Sequence, residues 1–206
     1  MRKAFTMLEF VFVIVVIGIL TATIVSNRKA SPLREAATQL VSDIRYTQHL
    51  AMVDDKFDSN DGTWFKKRWQ LLFGHSADTG GYYAYSIFSD SSKTGNPDPG
   101  EMAVNPLNRA KLLSGGFSGT LNWEDTRATK ALNIGYKYSV DNITQSGCGA
   151  KRISFDHMGR PLQGNSKNWT SPISGVLTSQ CNFTLHHGTE SLTIAIEPET
   201  GYTHIL

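Results

Sequence analysis

The sequence predicts an α+β chain in which a long N-terminal helix packs on an antiparallel β-sheet head. Three observations carry this expectation. The run FVFVIVVIGILTATIVSN, Phe10 to Asn27, has no charge; apolar residues recur at three- and four-residue spacing from Leu33 to Met52; and aromatic, β-branched segments alternate with turn residues after Gly62. At 206 residues, with a composition of soluble globular type beyond the first thirty or so positions, one domain plus an anchor is the simplest organisation.

The apolar run is close to the ~20 residues that a helix needs to cross a bilayer. Arg2 and Lys3 precede it, so the positive-inside rule places the N-terminus in the cytoplasm and the chain after Arg28 on the far side. Ser26, Asn27, Arg28 and Lys29 offer no small-x-small cleavage pattern, so the run is expected to be retained. Glu9 fits neither an ordinary anchor nor a secretory signal. A carboxylate between Leu8 and Phe10 is costly unless it is paired or reaches the interface; either it snorkels to the cytoplasmic surface or it has a function.

Ser31-Pro32 reads as an N-cap followed by proline at the first helical position, with Glu35 in the opening turn. Leu33, Ala36, Ala37, Leu40, Val41, Ile44, Ala51 and Met52 then form an apolar stripe opposite Arg34, Glu35, Asp43 and Arg45. The proline predicts a bend or break near Arg28 to Ala30. Together the two halves, Phe5 to about Val53, would reach ~70 Å.

Asp54 to Gly62, DDKFDSNDG, is polar and reads as the linker into the head. Trp64–Phe73 and Tyr82–Phe88 are expected strands, with GHSADTGG turning a hairpin between them. Ser89 to Gly119 is rich in Gly, Pro, Ser and Asn and predicts a long surface excursion with at most one helical turn, around Leu107 to Leu113. Later strands are expected at Asn133–Val140, Arg152–Asp156, Phe183–His186 and Ser191–Glu197, with a last turn at Glu199-Thr200-Gly201.

Lysine and arginine total 20 against 18 acids. If Arg2 and Lys3 are removed, the two signs balance, which does not indicate a generally basic nucleic-acid surface. The two cysteines, Cys148 and Cys181, would be permitted a disulfide in a periplasmic head; two buried reduced thiols are the alternative.

The loop from Asp90 to Glu101 places Asp, Gly and Glu at the first, sixth and twelfth positions, an echo of a calcium loop with Asp90, Asp98 and Glu101 as ligands. Ser92 and Thr94 stand where carboxylate or amide ligands belong, and two prolines alter the geometry, so an ordinary solvated acidic turn with no metal fits better. Lys66, Lys67 and Arg68 interleave with Trp64, Phe65 and Trp69, a composition that binds single strands of nucleic acid, although alternation would send Lys67 to the opposite face. The six histidines, His186 and His187 included, show no zinc-like spacing, and neither a nucleophile elbow nor a phosphate loop is present, so no enzyme and no cofactor are expected.

Lys3-Ala4-Phe5-Thr6-Met7-Leu8-Glu9, followed by the uncharged run, resembles the prepilin signal of type IV pilins and type II secretion pseudopilins. The resemblance covers the first ~25 residues, where small residue, aromatic, glutamate at a fixed offset and apolar run coincide. It implies that a prepilin peptidase cuts between Ala4 and Phe5, that Phe5 becomes the N-methylated first residue, and that Glu9 is the glutamate that sets filament register. Glycine is commonest before the cut; Ala4 meets the same requirement for a small side chain. The segments are then leader 1–4, transmembrane helix 5–30, amphipathic helix 31–53 and periplasmic head 54–206.

Glu9 lies one helical turn from the amine that cleavage creates, so it would meet the amine of a neighbouring subunit in an apolar core. Low dielectric rewards the paired arrangement and penalises every other stagger. The implied partners are the peptidase, other pilins or pseudopilins, an inner-membrane assembly platform with its ATPase, and membrane lipid. The implied location is the inner membrane, single-pass, and then a pilus or pseudopilus.

A second resemblance lies in Ile153-Ser154-Phe155-Asp156-His157-Met158-Gly159-Arg160-Pro161, Leu192-Thr193-Ile194-Ala195-Ile196 and the closing Thr200-Gly201-Tyr202. These look like the head of minor pseudopilins of the H class and related fimbrial minor pilins, which would put the chain at or near a filament tip; alternatively Gly159 and Gly201 simply supply turns. Some minor pilins of this kind capture DNA, which keeps nucleic acid among the partners considered.

Overall fold

The computed structural model describes residues 7–26 and 31–206. They divide into two compact units at Ser31/Pro32. The first contains helix α1, Met7–Ser26, with Glu9 in its first turn. Its described side chains run from Met7 to Thr21 and all are exposed. Among the described residues no helix is long and apolar enough to cross a membrane. Residues 1–6 and 27–30, including Ala4, Phe5 and the bend expected at Arg28 to Ala30, lie outside the described residues.

The second unit is α+β. Helix α2, Pro32–Val53, begins at the predicted proline with Glu35 in its first turn. It belongs with the head rather than forming a separate segment, because its apolar stripe is the floor of the head's core. Leu33, Ala36, Ala37, Leu40, Ile44 and Ala51 are buried; Met52, expected in the stripe, is 54% exposed, and Thr47 takes an inner place with its hydroxyl on the Asp43 carbonyl.

Two four-stranded antiparallel sheets cover that floor. The first has the order β2-β1-β4-β5, from strands β1 Trp69–His75, β2 Tyr83–Ser89, β4 Arg152–Phe155 and β5 Pro161–Leu162. The second has the order β3-β6-β7-β8, from β3 Asn142–Ser146, β6 Cys181–His187, β7 Glu190–Ile196 and β8 Thr203–Ile205. Leu71, Phe73, Ile153 and Phe155 of the first sheet share one core with Phe183, Leu185, Ile194 and Ile196 of the second. Each fully buried residue of this kind contributes about 1.5–3 kcal/mol through removal from water.

Three expectations are corrected. Asn133–Val140 is not a strand: a 3-10 turn leads into the short helix α3, Ile134–Tyr138. The Asn133 side chain caps it by accepting from the Tyr136 amide, and Ile134 and Tyr138, four apart, face the core. Gly135 lets this helix approach β2, since a Cβ there would lie 2.7 Å from the Tyr83 nitrogen. Trp64–Lys67 is a 3-10 turn, and β1 starts only at Trp69. The Ser89 to Gly119 stretch is not a surface excursion throughout: Met102, Ala103 and Leu113 are buried, and Ile87 donates its amide to the Leu113 carbonyl and accepts from the Ala103 amide. Turns and isolated bridges, Val104 with Leu112 and Leu112 with Ala128, occupy the place where at most one helical turn is expected.

The Asp54–Gly62 connection is pinned at both ends. Trp69 donates its indole N–H to Asp54 (2.8 Å), and Asp61 receives Lys67 (2.7 Å) and Lys93 (2.8 Å). These two ammonium groups, with the Thr63 hydroxyl and amide, hold the Asp61 carboxyl well below the usual carboxylate range. A disulfide joins Cys148, after β3, to Cys181, which opens β6, across 33 positions. Replacing both cysteines with alanine is expected to lower the unfolding free energy by about 3–4 kcal/mol, read from chemical denaturation with and without reductant; reductant should act on the parent chain alone.

Candidate functional site

On α1, Glu9 occupies the first turn and is exposed. The positions expected to be cut and methylated, Ala4 and Phe5, lie outside the described residues. The remaining features are all in the second unit.

Polar groups of α2 fix it against the sheets at two heights. Near its C-terminal end, Gln48 donates through Nε2 to the carbonyl oxygens of Gly159 (2.8 Å) and Thr200 (2.9 Å). The two turns singled out in the sequence are thus brought together beneath one amide. Gly159 and Gly201 have φ of 79° and 64°, where L side chains are strained. A Cβ on Gly201 would lie 2.6 Å from Gln48 Nε2 and 2.7 Å from the Gly159 oxygen. Asp156, buried, holds the Gly159 turn by accepting from the Met158 and Arg160 amides and from Arg160 Nε (2.7 Å).

Nearer the N-terminal end of α2, Gln39 donates to the hydroxyl of Tyr85 (2.8 Å) and the carbonyl of Ala131 (2.8 Å), while its Oε1 accepts from Tyr138 (2.8 Å) and Lys137 (3.3 Å). The Tyr85 hydroxyl donates to Asp43. Burial raises the Asp43 carboxyl above its ordinary value, only partly offset by Tyr85 and by the Lys137 charge; burial and the adjacent carboxylate push Tyr85 well up. Beside this chain lies a groove of about 400 Å³, lined by Gln39, Ser42 and Tyr46 of α2 together with Asn105, Leu107 and Leu132. Nothing local in the sequence marks this network, apart from Asp43 standing next to the apolar stripe.

The calcium-type loop is dispersed by the fold. Asp90 is buried; its Oδ2 accepts from the Gly95 amide (2.9 Å) and the Ser166 hydroxyl (2.9 Å), and desolvation raises its carboxyl. Glu101 accepts from the backbone of Ser92 and Asp98, closing its own loop, and the Asp98 side chain is exposed. Among the described residues no group of three His, Cys, Asp or Glu side chains is placed to hold a metal ion.

The basic and aromatic run is folded inward. Arg68 and Phe65 are buried, Arg68 donates to the Pro172 carbonyl (2.7 Å), Lys66 donates to the Lys167 carbonyl (2.9 Å), and Lys67 is committed to Asp61. The run does not alternate between faces, because it is a 3-10 turn. His186 pairs with Thr144 (2.9 Å) and His187 with the Ser139 carbonyl (2.7 Å), both holding the end of β6.

An aromatic cluster went unnoticed in the sequence because its members come from three separate segments. Tyr82, Trp123 and Tyr136 have ring centroids 4.7–6.2 Å apart. Comparison with known proteins finds no family model, no curated protein and no solved structure that matches the chain.

Two consequences are measurable. Because the folded-state value of Asp43 is raised, its ionisation opposes folding, and that cost appears as pH rises through the carboxylate range. Asp43→Asn, which keeps an acceptor for Tyr85, should therefore gain stability relative to the parent between acidic and neutral pH in paired urea titrations. Gly201→Ala should lower stability by about 2–4 kcal/mol through its positive φ and the contact with the Gly159 oxygen, measured by the same titration at one pH.

Proposed function

We propose that the chain is a structural filament subunit of the type IV pilin or type II pseudopilin class, made as a prepilin, cut between Ala4 and Phe5 and polymerised through its N-terminal helix. The observation that carries this is the coincidence of Ala4-Phe5, Glu9 and the uncharged run from Phe10 to Asn27. Two features of the fold support it. On α1 large apolar side chains stand bare, Leu8 at 81% and Phe12 at 68%, an amount of apolar surface that calls for lipid or neighbouring helices. In the second unit, α2 lies on antiparallel sheet with Arg34, Thr38, Ser42, Arg45 and His49 turned outward.

In this reading the apolar run first holds the chain in the inner membrane with the head in the periplasm, where the Cys148–Cys181 disulfide is at home. The peptidase creates an amine at Phe5. An assembly platform driven by its ATPase then lifts the subunit into a polymer, where Glu9 of one copy meets the amine of the next. A single stagger satisfies both charges in the apolar core. The Gln48 clasp beneath Gly159 and Gly201 lends the minor-subunit reading a structural role, because it joins both motif turns to the spine.

Glu9→Gln is the test. It should leave membrane insertion and leader removal intact while sharply reducing recovery of the subunit in sheared filaments, quantified by immunoblot against the membrane fraction. Undiminished recovery would refute the register role.

A further inference from the structure

The groove beside Gln39 and Asp43 adjoins a second one, of about 340 Å³, lined by Tyr46, Val104, Asn105, Pro106 and Arg109. Tyr46, Asn105 and Pro106 line both, so the loop 105–109 stands between the two. Its tip, Leu107, is 96% exposed. A lone bare leucine needs no explanation, but this one is held out on a fixed turn. The Leu107 amide donates to Asn105 Oδ1 (2.9 Å), Asn105 Nδ2 donates to the Thr129 hydroxyl (3.1 Å), and the Asn105 amide donates to the Lys111 carbonyl (2.8 Å). Pro106 fixes one more backbone angle. A knob set in this way loses little conformational freedom when it is covered.

Opposite charges are divided between the loop and the groove. Arg109 is exposed and, among the described residues, pairs with no acid. Asp43 lines the groove; its Oδ2 accepts from the Tyr85 hydroxyl, while its Oδ1 accepts no hydrogen bond among the described residues. Lys137, whose charge reaches Asp43, is turned to Gln39 and to the Tyr138 ring. Burial raises the Asp43 carboxyl in spite of these neighbours, so its ionised form is compensated only in part within one copy.

We propose that this face pairs with a second copy of itself: the loop 105–109 of each copy enters the groove of the other, Leu107 against Leu113, Ala131 and Leu132, and Arg109 toward Asp43. The groove, at about 400 Å³, is larger than the ~150 Å³ that one truncated leucine leaves in a core. What commits it to a second copy is that the complementary parts, a bare apolar tip and an unpaired cation, both lie on the chain's own adjoining loop. A surface that gives and receives side by side is self-complementary, so the contact closes on a two-fold axis and does not propagate. Every residue of it belongs to the head. The pairing therefore stands apart from the filament reading, as a closed state of subunits outside a polymer.

The experiment follows the full chain in density-matched detergent micelles by sedimentation equilibrium over a range of protein concentrations. A monomer–dimer equilibrium is expected. Leu107→Asp should raise the dissociation constant about thirtyfold or more, and Arg109→Glu about tenfold or more, whereas Arg109→Lys should keep most of the pairing. Both positions are exposed, and unchanged urea titrations show that the variants fold. Parent chain mixed with Leu107→Asp chain should pair with intermediate affinity, because one of the two insertions remains. Full affinity in that mixture overturns the two-fold arrangement. A chain that stays monomeric, assemblies larger than two, or association that survives either Leu107→Asp or Arg109→Glu, as contact through α1 would, overturns the pairing itself.

Discussion

One face of one helix is common to both sheets. Leu33, Leu40 and Ile44 of α2 are in the same core as Phe73 and Phe155 on one side and Phe183 and Ile196 on the other. Ala36 and Ala37, both fully buried, keep the backbone close to the strands that cross it. Each sheet alone would leave an apolar face in water, so neither sheet has an independent core. The head is therefore as stable as its hold on the helix, and a force applied along α2 is delivered to the whole head.

Apolar packing fixes the helix in depth but only weakly along its axis, and polar contacts supply that second coordinate. Gln48 spans two turns that are separated by some forty residues of chain, and Gln39 links the Tyr85 and Tyr138 hydroxyls to the Ala131 backbone. Half-buried amides of this kind add little net stability, but their fixed donors and acceptors are satisfied in one placement of the helix, which makes them devices of position. Under the proposed function, in which the subunit is drawn from a membrane by its helix, position along that helix is what must not slip.

The helix is readable because its signal is local: Pro32 at the start and a stripe at three- and four-residue spacing reproduce the buried face, with exposed Met52 and buried Thr47 the exceptions. The strands rich in β-branched and aromatic residues, β2, β6 and β7, were readable for the same reason. Asn142–Ser146 and Pro161–Leu162 are too polar or too short to announce themselves, and the division of eight strands between two sheets depends on pairings such as Leu71 with Ile153 that no local pattern encodes. Over Asn133–Val140 an apolar and aromatic composition predicts a strand, but a side-chain cap and a glycine approach decide for helix at Ile134–Tyr138. Of the site residues, Glu9 is marked by a carboxylate out of place in an apolar run, and Cys148 and Cys181 by being the chain's two cysteines. Asp43, Gln48 and the Tyr82–Trp123–Tyr136 cluster acquire meaning only when distant segments meet.

In the proposed filament a single new charge, at the N-terminus of the cut chain, joins these parts. While Met1 to Ala4 remain attached, no amine lies one helical turn from Glu9, and the proposed register contact has no partner to offer the carboxylate of the next copy. The most direct measurement is the mass and fragmentation of the N-terminal peptide from chain isolated in its native membrane. The account predicts that it begins at N-methylated Phe5; a chain that begins at Met1, with Arg2, Lys3 and Ala4 still attached, would contradict it.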